Sequence, residues 1–493
     1  MNFCERCSSL ELFFTLYHRN WFESSVDDRI VTFKYSQGTD IGRANLSLAL
    51  HSYHEEQRVR QSLRAGILPP SVSPLKSRIS LRKANEATKG EIIHPIPEEV
   101  YRPIREIVEG TMPTPSIDTA TKVTDYTVED YYNLWLEFST LMLVHDAACD
   151  DRCEFQSPSR VLEGRVLSIT LDELVQLLTR KTALPRDVAK NILTELILNT
   201  GTNRPDILVQ PLIAWTPSLL LVAPLLIFSS NWEVCLLRNW IQRYPDVYSR
   251  VVAQKKYKLS DSLGGLFDQR RFMVSTRRKL TDKQGRQIGD VDVALFDPND
   301  GTLALFEVKW IIEPDSSRET LIADEEILKG VNQALTCQSE FESDPEMFLS
   351  QVFPGREIAP SDVKSIRVAV VANGDIGGEE TMKTNVPVMD YYLTSDCIKE
   401  KAGNSLNEII THVLNRHNTL ADEVAQKSYV MQIKAGGYLF KLPAWGNRSN
   451  ADLMIEEVKP SIGRTHPCPC GSSLKYKDCC KPIETYRDDA LLL

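Results

Sequence analysis

Apolar residues recur with a helical period in the first half of this chain and with a strand period in its middle. From Thr127 to Cys149 the apolar positions Tyr131, Leu134, Leu136, Phe138, Leu141 and Leu143 fall roughly at helical spacing, and Thr170 to Leu178 begins another helix. The segments DILVQPLIAW and LLLVAPLLIF, from Asp206 onward, read as buried strand or core. Ser230 followed by Glu233 predicts a capping box for a helix through Trp240. Pro245 suits the first turn of the next helix, which runs through Val251 and Val252 toward Tyr257. The apolar pattern then becomes alternating. RFMVSTRRKL, GDVDVALFDP and TLALFEVKWI are three strand-like runs, separated by the turn-rich DKQGRQI and NDG. A helix from Asp324 to Phe341, a strand SIRVAVVANG, a further strand VPVMDYYLTS and a helix from Ser405 to Asn415 follow. Residues 1–66 read as mixed or mainly helical. Ile67 to Pro115 carries eight of the 26 prolines and reads as an extended connector.

Length divides this pattern into domains. At 493 residues the chain is several times the usual domain of about 150 residues. The expected class is a multidomain α+β protein with five parts: residues 1–115, an N-terminal region with its Pro-rich connector; 116–205, a helical domain; 206–425, an α/β domain with a mixed sheet flanked by helices; 426–463, a β-rich extension; and 464–493, a small C-terminal module. Hydrophobic residues at 42% and charged residues at 25% fit a globular chain. The net charge of −10 excludes a surface coated throughout in nucleic-acid-binding charge, while leaving room for local patches. Between Asp206 and Glu233 lie 26 uncharged residues, but Pro211, Pro217 and Pro224 interrupt them. The purely apolar part, Leu219 to Phe228, is about half of the ~20 residues a membrane span needs. No membrane association is therefore expected. The opening MNFCERCSSLELFF lacks the features of a secretory signal, so a cytoplasmic location is expected, with the cysteines as thiols or metal ligands.

The chemistry concentrates in Gly289 to Trp310, GDVDVALFDPNDGTLALFEVKW. On a strand, Asp290 and Asp292 share one face, with Val291, Val293 and Leu295 on the other. On the next strand Glu307 and Lys309 share a face, with Phe306, Val308 and Trp310 opposite. The NDG turn allows a hairpin that sets these polar faces side by side. Carboxylates and a lysine would then converge on an apolar sheet, where charges are costly unless they pair or bind a metal. Carboxylate oxygens suit Mg²⁺. The lysine could position or deprotonate an attacking water and stabilise charge developing on a phosphate. A salt-bridged exposed hairpin would use the same Glu and Lys. The apolar opposite face, the hairpin placement and the flanking element order favour the site over that simpler reading.

Asp292 and Glu307-Val308-Lys309, with fourteen residues between Asp292 and Glu307, resemble the PD-(D/E)xK signature of the restriction-endonuclease-like nucleases. The order helix, three strands, helix, strand is similar to that superfamily's core, and the resemblance covers roughly Asn231 to Asn415. It implies an Mg²⁺- or Mn²⁺-dependent endonuclease in which Asp292 and Glu307 are metal ligands, joined by the Val308 carbonyl, and Lys309 acts on the water. Gly289-Asp290-Val291-Asp292 replaces the motif's proline, which makes Asp290 a further candidate. Gln333, in KGVNQAL on the following helix, is the candidate additional catalytic residue, with Cys337 where an aromatic is usual.

Residues 255–287 hold ten Lys or Arg and three Asp or Glu, a local +7 in an acidic chain. This is the pattern of a phosphate-backbone track, with Arg270, Arg271, Arg277, Arg278 and Lys279 as candidate contacts. A solvated hairpin face would carry the same residues.

The tail HPCPCGSSLKYKDCCKP has Cys468 and Cys470 one residue apart and Cys479 and Cys480 adjacent, with eight residues between the pairs. Four thiolates at this density suit tetrahedral Zn²⁺, which would supply most of the folding energy of so small a module. The stretch is similar, nearly residue for residue, to the SEC-C motif, the zinc-binding tail of the SecA translocase. That resemblance implies Zn²⁺ ligation by Cys468, Cys470, Cys479 and Cys480, and a protein partner. Cys4, Cys7, Cys149 and Cys153, with His145 nearby, could form a second site but read more simply as thiols in or near a helical core. The expected function is a metal-dependent nuclease acting on nucleic acid, DNA favoured, suited by analogy to defence against foreign nucleic acid. A non-catalytic adaptor docking a ribosome, chaperone or nucleic acid through the zinc tail, and a repair or recombination nuclease, are the alternatives.

Overall fold

The structure, a computed structural model, describes residues 22–35, 98–153, 166–198, 206–312, 317–374, 376–425, 428–435 and 438–445, with a few isolated positions besides. Two compact units divide the chain. One contains Phe22–Tyr35 and the segment from Lys427 onward. Within it β1 (Phe22–Asp27) and β2 (Ile30–Tyr35) form an antiparallel hairpin, as do β11 (Ser428–Ala435) and β12 (Tyr438–Trp445). β2 pairs in parallel with β12, giving the order β1-β2-β12-β11. The N-terminal stretch expected to be mixed or mainly helical thus contributes a local hairpin here, and its β2 edge is completed by β12, some 400 residues away in sequence and beyond the reach of local pattern.

The second unit contains residues 36–426. Helix α1 (Glu98–Thr111) corrects the expectation of an extended connector through Pro115. Pro103 lies in its second turn, but Ile104 and Val108 still form one apolar stripe that packs against Leu136 and Val144. Burial of that stripe outweighs the missing backbone donor. α2 (Val128–Cys153), α3 (Leu171–Thr182) and α4 (Arg186–Glu195) follow. At the start of α3, Thr170 and Glu173 form a complete capping box.

Two short antiparallel pairings around β5 (Leu220–Val222), with β3 (Leu167–Ile169) and β4 (Leu212–Ala214), take up the apolar run after Asp206, and Pro224 opens α5 (Pro224–Ser229). The next helix, α6 (Trp232–Arg243), is capped by Asn231, whose side chain accepts from the Glu233 and Val234 amides. The cap is therefore one residue later than the expected Ser230. Ser230 instead donates its hydroxyl to the carbonyls of Leu208 and Leu226. A single apolar cluster runs from Ile117 to Val251, so α2–α6 share one core. Inside it Glu195 accepts hydrogen bonds from Tyr126 at 2.9 Å and Tyr244 at 3.0 Å.

Pro245 opens α7 (Pro245–Gly265). The five-stranded sheet then forms with the order β10-β9-β8-β7-β6. β6 (Met273–Thr281), β7 (Gln287–Asp297) and β8 (Thr302–Lys309) are antiparallel neighbours. β9 (Ser365–Ala372) and β10 (Val388–Asp390) continue in parallel from β8. Residues 291–297 and 302–308 are buried throughout, as in a sheet covered on both faces. Leu263 of α7 packs on one face with α11 (Tyr391–Glu400) and α12 (Leu406–Ala425). α8 (Ser317–Ser343) and α9 (Pro345–Val352) cover the other, and the short α10 (Glu379–Met382) falls between β9 and β10 in the chain. The strand expected over VPVMDYYLTS is only three residues long, because Asp390 caps α11 by accepting from the Leu393 amide at 2.8 Å. At the tip of the β7–β8 hairpin Gly301 has φ +73°, and an added Cβ would meet the Asp362 carbonyl oxygen at 2.5 Å, so the NDG turn needs its glycine. No described helix is long and apolar enough to cross a membrane.

Candidate functional site

The hairpin register builds the site. Val293 pairs with Phe306, which sets Asp292 opposite Glu307 one step further along. The ladder opens there, and Asp292 Oδ2 accepts the Val308 amide at 2.8 Å. Alternation in β7 also breaks at this point. Val293 and Leu295 pack in the cluster under α7, whereas Val291 packs in the cluster under α8. The expected common face for Val291, Val293 and Leu295 is therefore corrected, and with it the simple pairing of Asp290 with Asp292. The cause lies across the ladder: Thr276 pairs with Val293 and Arg278 with Val291, while Arg277 between them takes the left-handed conformation at φ 55°. For a long side chain that conformation is strained, and strain of this kind concentrates at functional sites.

Asp292 and Glu307 are 2% and 3% exposed, so neither is a solvated surface carboxylate. Lys309 Nζ lies 3.1 Å from Glu307 Oε1 and donates to Gln333 Oε1 at 2.5 Å. The helix that presents Gln333 can approach this closely because Gly330, one turn earlier, has no side chain; a Cβ there would sit 2.7 Å from Lys309 Cε. Asp292, Glu307, Lys309 and Gln333 are thus brought together, with the Val308 backbone inside the same group. Asp290 stands apart. Its carbonyl accepts from Cys337 Sγ at 3.3 Å, and its carboxylate makes no hydrogen bond or ion pair among the described residues.

One member of the site went unrecognised in the sequence. Lys256 of α7 places Nζ 2.8 Å from Asp292 Oδ2 and 3.1 Å from Glu307 Oε1. Its neighbours in KKYK hide it, yet its one-turn spacing from the buried Ser260 marks the inward face of the helix. Burial works against the Lys256 charge, but the Glu307 and Asp292 carboxylates outweigh it and raise its affinity for the proton. Burial, then the Asp292 charge, push Glu307 up to about 7, against the opposing pull of Lys256 and Lys309. Burial also pushes the Cys337 thiol up to about 12, which keeps it protonated.

The donor set fits a hard divalent cation. Two buried carboxylate oxygens on adjacent strands converge on one point, and a positive group already stands there in the form of the Lys256 ammonium. Asp292 and Glu307 are the residues that would hold the ion.

The proposed nucleic-acid contacts differ in their engagements. Arg271 donates to the carbonyls of Ala402 at 2.8 Å and Asn404 at 2.9 Å, and so clips the turn after α11. Arg277 pairs with Asp261 at 3.2 Å and lies over the Tyr257 ring at 5.5 Å. Arg278 donates to Ser275 at 2.9 Å. Arg270, Arg277, Arg278 and Lys279 are exposed.

A separate group of donors, Cys397, Glu400 and His412, has its ligand atoms within 4.8 Å of one another and could hold a metal ion. His412 and Glu400 are 3.2 Å apart, and burial pushes the Cys397 thiol up to about 11. Cys468, Cys470, Cys479 and Cys480 lie outside the described residues, as do Cys4, Cys7 and the side chains of Cys149 and Cys153.

Residues 464–482 match the SEC-C motif, a motif that is commonly zinc-binding. The chain is also similar to the UPF0225 protein plu2503 of Photorhabdus laumondii subsp. laumondii, with 65% identity over 26 residues, which is 5% of this chain and 16% of that protein. The chain therefore spans a small fraction of the length of this relative. No solved structure matches the chain.

Proposed function

We propose that the 206–425 region is a nuclease of the PD-(D/E)xK type that hydrolyses phosphodiester bonds of nucleic acid, with DNA the favoured substrate. The observation that carries this reading is the convergence of two buried carboxylates, Asp292 and Glu307, on a single cationic position, with Lys309 in contact with Glu307. A merely structural ion pair has no need of two facing carboxylates 2% and 3% exposed, whose mutual repulsion and desolvation are both unfavourable. Mg²⁺ or Mn²⁺, when bound, supplies Lewis-acid stabilisation of the phosphate and activation of water.

The protein's own groups divide the remaining work. Asp292 is fixed by the Val308 amide at 2.8 Å, so one oxygen is oriented before any ligand arrives. Glu307 faces it and completes the anionic pair. Lys309, steered by Gln333 at 2.5 Å, holds its ammonium beside that pair, where it can position the attacking water and offset charge on the phosphate. Gly330 lets α8 close over the Lys309 stem. The exposed Arg270, Arg277, Arg278 and Lys279 offer a track for the phosphate backbone. The SEC-C match supports Zn²⁺ ligation by Cys468, Cys470, Cys479 and Cys480 in a small module suited to a protein partner.

The test is incubation of the full-length protein with linear and circular duplex DNA, single-stranded DNA and structured RNA in Mg²⁺, Mn²⁺, Ca²⁺ or EDTA, alongside Asp292→Ala. Cleavage in Mg²⁺ or Mn²⁺ that vanishes in EDTA and in the folded variant is expected. Cleavage retained by Asp292→Ala would overturn the assignment.

A further inference from the structure

The nuclease reading, on which this inference rests, leaves Lys256 without a task. Its side chain is 21% exposed, and its ammonium lies between Asp292 Oδ2 at 2.8 Å and Glu307 Oε1 at 3.1 Å. It is the one cation among the described residues that touches both carboxylates, since Lys309 reaches only Glu307. The helix around it is docked on the sheet: Ser260, one turn further on, is fully buried, and Gly264 lies against Thr276 of β6. Lys256 therefore projects from a fixed backbone into the space between the carboxylates.

That space admits one cation. A divalent ion of Mg²⁺ size sits about 2.0–2.1 Å from each carboxylate oxygen, closer than the ammonium does, so the two cannot share the pair. With neither present, two buried like charges would face each other, an arrangement that disfavours ionisation of at least one.

We propose that Lys256 is a tethered counter-ion: it holds the Asp292–Glu307 pair together in the metal-free protein, and a divalent cation loads only by displacing it. The site therefore binds metal more weakly than its two carboxylates alone would. The displaced ammonium, carried on a flexible four-carbon stem beside the site, becomes a donor for an incoming phosphate anion. Substrate binding gives Lys256 a new partner and so favours metal loading, and by linkage the reverse holds as well. Cleavage is thereby confined to conditions in which metal and nucleic acid are present together.

The test is Mn²⁺ binding to full-length, zinc-loaded protein, followed by electron paramagnetic resonance at pH 8 for the wild type, Lys256→Met, Lys256→Arg and Asp292→Asn. Lys256→Met is expected to bind Mn²⁺ about tenfold more tightly or better, and about tenfold corresponds to the loss of about 1.4 kcal/mol of competing ion pairing. Lys256→Arg should remain near the wild type. Mn²⁺ should raise the melting temperature of Lys256→Met by more than that of the wild type. Should Lys256→Met fail to fold without metal, Lys256→Gln supplies the same comparison. Unchanged or weaker Mn²⁺ affinity on removal of the ammonium, with binding still lost in Asp292→Asn, would overturn the counter-ion and leave the nuclease reading standing. Mn²⁺ binding that is indifferent to Asp292→Asn would overturn that reading and this inference with it.

Discussion

Gly330→Ala adds a single methyl group to a helix and should nonetheless disable the site. The new Cβ would lie 2.7 Å from Lys309 Cε, 3.2 Å from Lys309 Cγ and 3.4 Å from a Val370 methyl. Carbon atoms rest at about 3.5–4.0 Å, so the Lys309 stem must move by roughly 1 Å or α8 must lift by as much. Either displacement breaks the 2.5 Å contact between Lys309 and Gln333 and misplaces the ammonium 3.1 Å from Glu307. A misplacement of about 1 Å in a catalytic group can lower the rate about 10²-fold. Global stability should fall by no more than about 2.5 kcal/mol, because overpacking of about 1–3 kcal/mol is partly offset by the gain of roughly 0.5–1 kcal/mol from replacing a helical glycine. The assay is single-turnover cleavage of a labelled duplex at saturating Mn²⁺, with the melting temperature measured in parallel. A rate within about threefold of the wild type would refute the claim that Gly330 positions Lys309.

Three further outcomes are expected. Glu307 is raised to about 7 in the folded protein from an ordinary value of 4.5, so its proton stabilises the metal-free fold fully below about 4.5, and that contribution disappears as pH rises through about 7. The stability difference between wild type and Glu307→Gln should therefore shift against the wild type between pH 5 and 8, and parallel profiles would contradict this. Glu195→Ala strands the buried Tyr126 hydroxyl and frees the half-buried Tyr244, and should cost about 1–3 kcal/mol in urea unfolding, with a loss below about 0.5 kcal/mol contradicting the network. Cys479→Ser should lower bound zinc by one equivalent by mass spectrometry under native conditions, and undiminished zinc would remove Cys479 from the ligand set.

The β7–β8 hairpin and the grouping of Asp292 with Glu307 and Lys309 were legible because both depend on short-range pattern. Alternation in ALF and TLALF, joined by a glycine-bearing turn, fixes a hairpin register whose last pair, Val293 with Phe306, brings Asp292 beside Glu307 even though alternation breaks at Asp292. Gln333 came only from the resemblance to the nuclease signature, not from the pattern of its helix. What escaped depends on contacts between elements distant in sequence. Lys256 is one of three lysines in KKYK, and only the docking of α7 on the sheet turns it toward the carboxylates. The break of alternation at Asp292 arises from Arg277 on the neighbouring strand. Pro103 suggested a broken connector, whereas the apolar stripe of Ile104 and Val108 finds Leu136 and Val144 and forms a helix. Asp390 ends a β-rich run by capping α11, a choice between two local structures that the β-branched and aromatic composition of the segment did not reveal.

If Asp292, Glu307 and Lys309 form a phosphodiester-cleaving site, the work of the lysine can be separated by experiment from that of the carboxylates. Lys309→Ala and the wild type are compared for Mg²⁺-dependent cleavage of duplex DNA and, in the same preparations, for Mn²⁺ affinity. Cleavage should fall by roughly 10²-fold or more while Lys309→Ala still binds Mn²⁺ at least as tightly as the wild type. Undiminished cleavage by the folded variant would contradict the assignment.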